Sequence, residues 1–327
     1  MDPLPELRGK TVAITGASGY LGSAIAALLE ASSIRTLGVS RKKLAARRGM
    51  TFLRADIKNY ECWETIVRHA QVIFHLAGNT SVYEASKFPV ESLASTLLPL
   101  EHLVRAARQL GRRPRVVFAS TATVYGLTEV LPVAETAEPM PITVYDMHKL
   151  FAEQQLAMAT RLGLLESVVL RLANVFGPSS SASSAEDRGI LNKIVAMAVQ
   201  NQDLAIYADG NYLRDYVFID DVVDAFLRAG STPELGGRVF NVASGIGTTL
   251  RQAFELVVDQ AAQSTGQRVA ITSRPWPKNA NPIEFRNFVA SIESFKRASG
   301  WRPRAGLREG VGLLIADQRR GHGASVA

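Results

Sequence analysis

The sequence predicts an α/β protein built on a doubly wound parallel sheet, with a smaller C-terminal lobe that holds the substrate. Three observations support this prediction. Short apolar segments alternate with helical stretches from Thr11 onward, a rhythm typical of parallel strands covered by helices on both faces. The first strand runs into a glycine-rich turn and a helix, which is how a Rossmann-type fold opens. The composition then shifts after Pro178, where a second lobe can begin.

The composition is that of a globular protein. The chain has 327 residues, of which 47% are hydrophobic and 20% charged, enough for a sizeable core. No apolar run approaches the roughly 20 residues of a membrane-spanning helix, and the first ten residues lack the apolar centre of a signal peptide. Cys62 is the only cysteine, so no intramolecular disulfide can form. We therefore expect a cytoplasmic protein without membrane contact and without a metal site.

The net charge of +7 admits an anionic partner. We expect no nucleic-acid partner, because no basic stripe interleaved with aromatic residues and no recognised binding motif is present. The densest basic cluster, Arg41–Arg48, falls where a dinucleotide would need it. An anionic cofactor and a diphosphate-bearing substrate therefore explain the charge better, although a solvated basic loop remains the alternative.

The first strand, Val12–Ile14, leads into the turn Gly-Ala-Ser-Gly-Tyr-Leu-Gly. Gly16 permits the sharp exit from the strand, Gly19 lets backbone N–H groups approach a pyrophosphate, and Gly22 lets the helix pack closely. The helix N-terminus presents N–H donors and the positive end of its dipole to the phosphates. The predicted cofactor-binding residues of this turn are Gly16, Ser18, Gly19, Tyr20, Leu21 and Gly22.

The second strand, at about Arg35–Val39, ends where such folds read the cofactor ribose. Enzymes that use NAD place a carboxylate there to accept a hydrogen bond from the ribose 2′-hydroxyl. This chain has Ser40 followed by Arg41, Lys42 and Lys43. Because these cations can pair with a 2′-phosphate, the sequence favours NADP, with NAD as the alternative.

Further strands follow in order. Thr51–Ala55 is the third and ends in Asp56, which could cap the next helix. Val72–Ala77 is the fourth and is fully apolar apart from His75, which we interpret as a packed strand residue. A helical stretch from about Val90 to Leu110 contains Pro99 and should kink or break there.

The fifth strand, Arg115–Ala119, ends in Ser-Thr-Ala-Thr-Val-Tyr-Gly, so its hydroxyls should face the ligand crevice. Later, Tyr145 and Lys149 stand four residues apart on one helix face. A tyrosine phenol, with an ordinary pKa near 10, shuttles protons at neutral pH only when a neighbouring cation stabilises its phenolate. The pattern predicts Tyr145 as proton shuttle, Lys149 as its cation and as a cofactor ligand, and Thr121 as the group that holds the substrate oxygen. A chance surface pair is the alternative.

The domain boundaries follow from the shift after Pro178, where five serines and one alanine occupy 179–184. We expect a dinucleotide-binding domain formed by residues 1–177 together with about 217–243. The substrate lobe takes residues 178–216 and about 244–318, and the tail 319–327 is expected to be disordered.

These motifs, in this order, resemble the extended short-chain dehydrogenase/reductase family, which contains nucleotide-sugar epimerases, dehydratases and ketoreductases. Ser120–Gly126 resembles the corresponding segment of the UDP-galactose 4-epimerase branch. Arg171–Pro178 is similar to the family pattern Arg-x-x-Asn-x-x-Gly-Pro, and Arg214–Val222 to Arg-Asp-Tyr-x-x-x-x-Asp-Val. The resemblance spans about residues 8–315.

The resemblance implies further roles. Asp56 and Ile57 would meet the adenine, and Leu76, Ala77 and Gly78 would lie beside the cofactor. The implied substrate ligands are Ser120, Thr121, Asn174, Arg214 and Arg286, the arginines for the substrate diphosphate. Where family members carry an Asn, this chain has Thr96 by spacing. The family also implies a homodimer built on helices at about 97–110 and 145–162.

One departure from the family pattern reduces the number of reactions that the chain is expected to catalyse. Sugar 4,6-dehydratases follow the strand-end Thr with Asp-Glu, whereas Ala122 and Thr123 stand here and cannot ionise. We therefore expect no dehydratase. The favoured prediction is an NADP(H)-dependent 4-ketoreductase acting on a nucleotide-diphosphate hexose, because NADPH is the usual exchangeable reductant. A 4-epimerase of the same family is the alternative, since both reactions begin with the same half-reaction. A non-catalytic dinucleotide sensor is the rival from another class.

Overall fold

The computed structural model of the protein describes residues 5–32, 34–44, 46–178 and 189–323. Its strands are, in chain order, β1 Thr11–Thr15, β2 Arg35–Ser40, β3 Met50–Arg54, β4 Val72–His75, β5 Arg115–Thr121, β6 Glu166–Leu172, β7 Asn174–Phe176, β8 Leu204–Tyr207, β9 Leu213–Phe218, β10 Arg238–Val242, β11 Gly247–Thr249 and β12 Ile271–Arg274. Its α-helices are α1 Tyr20–Ala31, α2 Tyr60–His69, α3 Val82–Lys87, α4 Pro89–Thr96, α5 Leu98–Gln109, α6 Val144–Arg161, α7 Gly189–Val199, α8 Ile219–Ser231, α9 Leu250–Thr265, α10 Glu293–Ser299 and α11 Leu307–Gly323.

The main sheet has seven strands in the order β3-β2-β1-β4-β5-β6-β10, all parallel. Separate hydrophobic clusters cover its two faces, one with α1 and α8 and the other with α2, α5 and α6. Burial on both faces explains why the central strands are continuous apolar runs. The strand order reverses between β1 and β4, and ligands of such sheets bind at the carboxyl ends beside that point. The predicted Rossmann-type fold is confirmed.

The helical stretch from Val90 to Leu110 is divided, as Pro99 predicts. Helix α4 ends at Thr96 and α5 starts at Leu98. Pro99 therefore lies in the first turn of α5, where its missing N–H is not needed for a helical hydrogen bond.

The smaller lobe contains the sheet β11-β9-β7, the parallel pair β12-β8, and helices α7, α9 and α11 around a third cluster. Asp215 joins its segments, because the buried carboxylate accepts hydrogen bonds from the backbone N–H groups of Ser244, Gly245 and Ala290. Strand β9 runs through residue 217, and its Phe218 pairs with Phe176 of β7, so the predicted domain bounds stay a prediction.

Two predictions concern the ends of segments. The serine-rich loop at 179–184 lies outside the described residues. The tail was predicted to be disordered from Arg319, but α11 continues to Gly323 and the Arg319 guanidinium donates to the Ser264 carbonyl at 2.6 Å. Residues 319–323 are thus assigned to helix α11, and residues 324–327 are not described. Among the described residues, the helices are too short or too polar to span a membrane.

Candidate active site

A cleft of about 940 Å³ opens at the carboxyl ends of the central strands, between the main sheet and the smaller lobe. The structure brings nearly all of the predicted site residues to its walls. These are Gly16, Ser18, Gly19, Tyr20, Leu21, Gly22, Ser40, Arg41, Asp56, Ile57, Leu76, Ala77, Gly78, Ser120, Thr121, Tyr145, Lys149 and Asn174. Arg214 and Arg286 do not line it.

The glycine turn forms one end of the cleft. Gly16 has φ +73°, and a Cβ there would lie 3.0 Å from the Ala77 backbone nitrogen. A Cβ on Gly22 would lie 2.2 Å from the Gly16 carbonyl oxygen, so the first turn of α1 packs against the turn that precedes it. Helix α1 starts after Gly19, which offers no side chain to cap it. This close, unobstructed helix N-terminus fits the pyrophosphate of a dinucleotide.

The end of β2 is basic but not uniformly so. The Ser40 hydroxyl donates to the Ser18 hydroxyl at 2.8 Å, and the exposed Arg41 and Lys42 line the cleft. Arg47 of the same cluster pairs instead with Glu30 of α1 at 3.2 Å. Among its described residues the basic cluster is thus split: Arg41 and Lys42 line the cleft, and Arg47 pairs with α1.

A threonine fixes the loop after β4. The Thr15 hydroxyl oxygen accepts from the backbone N–H groups of Leu76 and Ala77 at 3.1 and 3.2 Å, and lies 2.7 Å from Nδ1 of His75. Burial, and then the charge of Lys149, lower the pKa of His75 to about 3. The ring is therefore neutral and buried, as expected for a packed strand residue.

Asp56 does not cap the helix that follows it. Its carboxylate accepts from the Lys58 backbone N–H at 2.9 Å, while the residue at the start of α2 is Asn59. Asp56 is left at the cleft wall, where its implied contact with the adenine remains a prediction.

Tyr145, Lys149 and Thr121 lie along one wall of the cleft. The side chain of Thr143 caps α6 by accepting from the Asp146 backbone N–H, which places Tyr145 in the first turn. The ammonium of Lys149 donates to the Ala119 carbonyl of β5 at 2.8 Å and lies 5.9 Å from the Tyr145 ring centroid. Burial lowers the pKa of Lys149 to about 8, against the nearby charge of Glu153.

An ion pair lies beneath this wall. Arg171 of β6 binds Glu153 of α6 at 2.6 Å, and both side chains are buried. The Ser120 hydroxyl donates to the same carboxylate, so its proton is committed to the interior. The Ser120 hydroxyl hydrogen is therefore not available to a ligand in the cleft. The same hydrogen bonds connect β5, α6 and β6.

The two predicted phosphate arginines bind backbone carbonyls. The buried Arg214 donates to the carbonyls of Glu284 and Arg286, the first at 2.7 Å. Burial, and then the charge of Arg286, lower the pKa of Arg214 to about 10. Arg286 donates to the Ile283 carbonyl at 2.8 Å. The arginines thus hold the 3₁₀ helix Pro282–Phe285 and the residue after it, and a role at a phosphate remains a prediction.

Sequence reasoning missed several residues of the cleft wall. Ser92 and Ser95 of α4 line it, three residues apart on one helix face, and this spacing was the available signal. Thr96, which the family spacing favoured, is buried and does not line the cleft. Tyr216 of β9 also lines it, and its buried hydroxyl has no hydrogen-bond partner in the described part of the chain.

No group of three His, Cys, Asp or Glu side chains that could hold a metal ion is found among the described residues. The polar side chains that face the cleft include hydroxyls, phenols, amides, carboxylates and the cations Arg41, Lys42 and Lys149, which suit proton transfer and recognition of a polar organic ligand.

Comparison with known proteins agrees with this geometry. The chain is 28% identical over 314 residues to the UDP-glucose 4-epimerase of Mycolicibacterium smegmatis, covering 92% of this chain and 96% of that protein. Its fold is similar to the Thermotoga maritima UDP-glucose 4-epimerase solved with UDP-glucose, with a TM-score of 0.85, 28% identity, and coverage of 95% and 99% of the two chains. The Thermus thermophilus UDP-glucose 4-epimerase solved with NAD gives a TM-score of 0.82 at 28% identity, over 94% and 99%.

The model of the NAD dependent epimerase/dehydratase family matches residues 12–243, which include the glycine turn, the strand-end hydroxyls and the Tyr-x-x-x-Lys pair. The protein therefore has an NAD(P)-binding fold and belongs to the NAD dependent epimerase/dehydratase family.

Proposed function

We propose that this protein is a nucleotide-sugar 4-epimerase, the alternative that the sequence left open beside a ketoreductase. The observation that carries the proposal is the wall formed by Thr121, Tyr145 and Lys149, which faces a cleft that begins at the glycine turn. The relatives named above are UDP-glucose 4-epimerases, which favours epimerisation over net reduction. A uridine-diphosphate hexose is the proposed substrate.

Each residue of this wall has its own role in the proposed reaction. A bound nicotinamide dinucleotide would supply the site that accepts the hydride from the sugar carbon and returns it to the opposite face. Tyr145 takes the proton of the sugar hydroxyl and later gives it back. Lys149, charged at neutral pH and close to the phenol ring, stabilises the phenolate while that proton is away. Thr121 holds the sugar oxygen by a hydrogen bond.

The direct test is an assay that separates epimerisation from net reduction. The purified protein is incubated with UDP-galactose without added cofactor, and UDP-glucose is measured by chromatography. An epimerase regenerates its cofactor in each cycle, so product should form while NADPH added in parallel is not consumed. Stoichiometric consumption of NADPH with a 4-keto nucleotide sugar would favour the ketoreductase instead.

The proposed cofactor is NADP, as the end of the second strand predicts. We propose NADP over NAD because Ser40 replaces the ribose-reading carboxylate and Arg41 and Lys42 face the cleft. The Thermus relative was solved with NAD, so NAD is the competing cofactor, and comparison of NADPH and NADH binding distinguishes the two.

The protein is also proposed to form a homodimer. Three large apolar side chains of α6 and that of Leu162, which follows the helix, are exposed along one face at 38%, 43%, 49% and 62%: Met147, Phe151, Met158 and Leu162. Their spacings of 4, 7 and 4 residues keep them within about 60° around the helix. Sedimentation at micromolar concentration should give twice the chain mass of 35.4 kDa, and Phe151→Glu should shift it toward the monomer.

A non-catalytic dinucleotide sensor is the competing class of function. The Tyr145–Lys149 pair on the cleft wall argues against it, because a sensor needs no proton shuttle. Dinucleotide binding without conversion of any nucleotide sugar would favour the sensor.

A further inference from the structure

A buried phenol on the smaller-lobe side of the cleft has a hydrogen with no acceptor. Tyr216 of β9 lines the cleft, although its side chain is only 4% exposed. Its hydroxyl has no hydrogen-bond partner in the described part of the chain. A buried tyrosine normally donates its hydroxyl hydrogen, because an unmet donor away from water is costly. The proton transfer proposed for Tyr145 makes no use of this group.

The ring of Tyr216 is held in place by its neighbours. Tyr216 stands opposite Asn174 of β7, which is another residue of the cleft wall. The Asn174 amide donates to the Asp215 carbonyl at 3.0 Å and so connects the two strands beside the ring. The ring also meets Phe176 edge-on, with the centroids 6.4 Å apart and an interplanar angle of 85°. Strand pairing and ring packing thus fix Tyr216 beside the cleft.

The charged side chains that act on the Tyr216 hydroxyl are two arginines. Burial raises the pKa of Tyr216 to about 12, against the charges of Arg214 and Arg286, which lower it. The phenol therefore keeps its hydrogen at neutral pH and can serve as a donor. Because the surrounding charge is positive, an anionic oxygen is a better partner for this donor than a neutral one.

The two arginines are themselves bound to backbone carbonyls. Arg214 donates to the carbonyls of Glu284 and Arg286, and Arg286 donates to the carbonyl of Ile283. Neither arginine lines the cleft, whereas Tyr216 does. The phenol is therefore the polar group through which this positively charged region meets the cleft.

We propose that the Tyr216 hydroxyl binds an anionic oxygen of the nucleotide sugar, and that the charges of Arg214 and Arg286 favour the anion there. The diphosphate is the expected source of this oxygen, because every nucleotide-diphosphate sugar carries it. A sugar carboxylate, as in UDP-glucuronic acid, is the other source with the same chemistry. This inference rests on the proposed function and deepens it, because it assigns a residue to the charged part of the substrate.

The first test compares the dissociation constants of wild type and Tyr216→Phe, which keeps the ring and removes the hydroxyl. The ligands are uridine, UDP, UDP-glucose and UDP-glucuronic acid, measured by calorimetry on the full-length protein. If the diphosphate is the partner, the three diphosphates should bind about tenfold more weakly to Tyr216→Phe, and uridine should bind equally to both proteins. If a sugar carboxylate is the partner, the loss should be confined to UDP-glucuronic acid.

Three other outcomes of this comparison would overturn the proposal. Equal weakening of all four ligands, uridine included, would indicate general damage to the site. A loss shared by both UDP-sugars but absent for UDP would place a sugar hydroxyl, and not an anion, at Tyr216. Unchanged dissociation constants for all four ligands would show that the hydroxyl binds none of them.

The second test needs no ligand. Because the Tyr216 hydroxyl has no partner in the free protein, its removal should not lower the free energy of unfolding in urea. Tyr125→Phe is the matched control, since the buried Tyr125 hydroxyl donates to Oδ1 of Asn241 at 2.8 Å. That variant should lose stability and leave the UDP dissociation constant unchanged. A loss of stability in Tyr216→Phe as large as in Tyr125→Phe would reveal an internal partner and overturn the proposal.

The failure of this inference differs from the failure of the proposed function. If Tyr216→Phe weakens UDP as expected but the wild type converts no nucleotide sugar, the anion-binding role stands and epimerisation is wrong. If the wild type epimerises UDP-galactose but Tyr216→Phe binds all four ligands as the wild type does, the proposed function stands and this inference is wrong.

Discussion

The two ends of the cleft are built in different ways. The cofactor end is a single turn, Gly16–Gly22, in which backbone touches backbone and any added Cβ at Gly22 would collide. The sugar end is assembled from separate segments, with Thr121 on β5 and Tyr145 on α6, and the Lys149 ammonium of α6 binds the Ala119 carbonyl 30 residues earlier in the chain. Backbone packing sets the first end and side-chain hydrogen bonds set the second. We therefore expect substitutions to impair the cofactor end by straining its backbone, and to impair the sugar end by removing single polar groups.

The largest expected effect is at the sugar end. Tyr145→Phe removes only the phenol oxygen, so folding and dinucleotide binding should survive while turnover falls about 10²–10⁴-fold. Steady-state kinetics on UDP-galactose, together with dinucleotide titration, measure both quantities. Turnover near the wild-type rate on a confirmed substrate would remove Tyr145 from the mechanism.

At the cofactor end, Arg41→Ala should weaken NADPH binding about 10- to 100-fold and leave NADH nearly unchanged, because a charge-assisted pair with the 2′-phosphate is lost. Arg47→Ala is the matched control, since Arg47 pairs with Glu30 and should not affect either cofactor. Equal losses for NADPH and NADH in Arg41→Ala would place the 2′-phosphate contact elsewhere.

The backbone character of the cofactor end can be tested by Gly22→Ala. The new methyl group would lie 2.2 Å from the Gly16 carbonyl oxygen, so the turn or α1 must shift. We expect the free energy of unfolding, measured in urea, to fall by about 1–3 kcal/mol, with weaker dinucleotide binding. Gly306→Ala is the control, because nothing lies within 4 Å of the added atom. If the two variants were equally stable, the turn would be less tightly packed than the 2.2 Å approach implies.

The smallest expected effect concerns pH. Burial lowers the pKa of Lys149 to about 8 from 10.5, so between these values the unfolded chain binds more protons at this residue than the folded one. The contribution of Lys149 to the free energy of unfolding should therefore rise with pH, by at most about 1.4 kcal/mol per unit. Urea titrations at pH 8 and 10 should show that the free energy of unfolding of the wild type increases relative to that of Lys149→Met at the higher pH. A constant difference would contradict the burial of the ammonium.

The central strands could be predicted because they are apolar runs buried on both faces. The strands β11 and β12 carry no such signal, since three of the four residues of β12 are exposed. The glycine turn and the Tyr145–Lys149 pair are local patterns, which a sequence displays directly. The contact between Thr123 and Asp146 joins residues 23 positions apart, and no local pattern announces it.

Arg214 shows the limit of reasoning from a motif. The family pattern located the residue and implied a phosphate contact, which stays a prediction, but it could not indicate the carbonyls that Arg214 binds at Glu284 and Arg286. Thr96 shows a similar limit, because a one-residue shift in alignment turns a cleft position into a buried one.

Helix α6 presents different chemistry on its two sides. Tyr145 and Lys149 face the cleft, and Phe151 and Met158 are exposed on the outer surface of the same rigid rod. A molecule that binds the outer side would compete with the proposed homodimer partner and not with nucleotide or sugar. Inhibitors directed at that surface would be insensitive to the high cellular concentrations of dinucleotides, which weaken any compound aimed at the cleft itself.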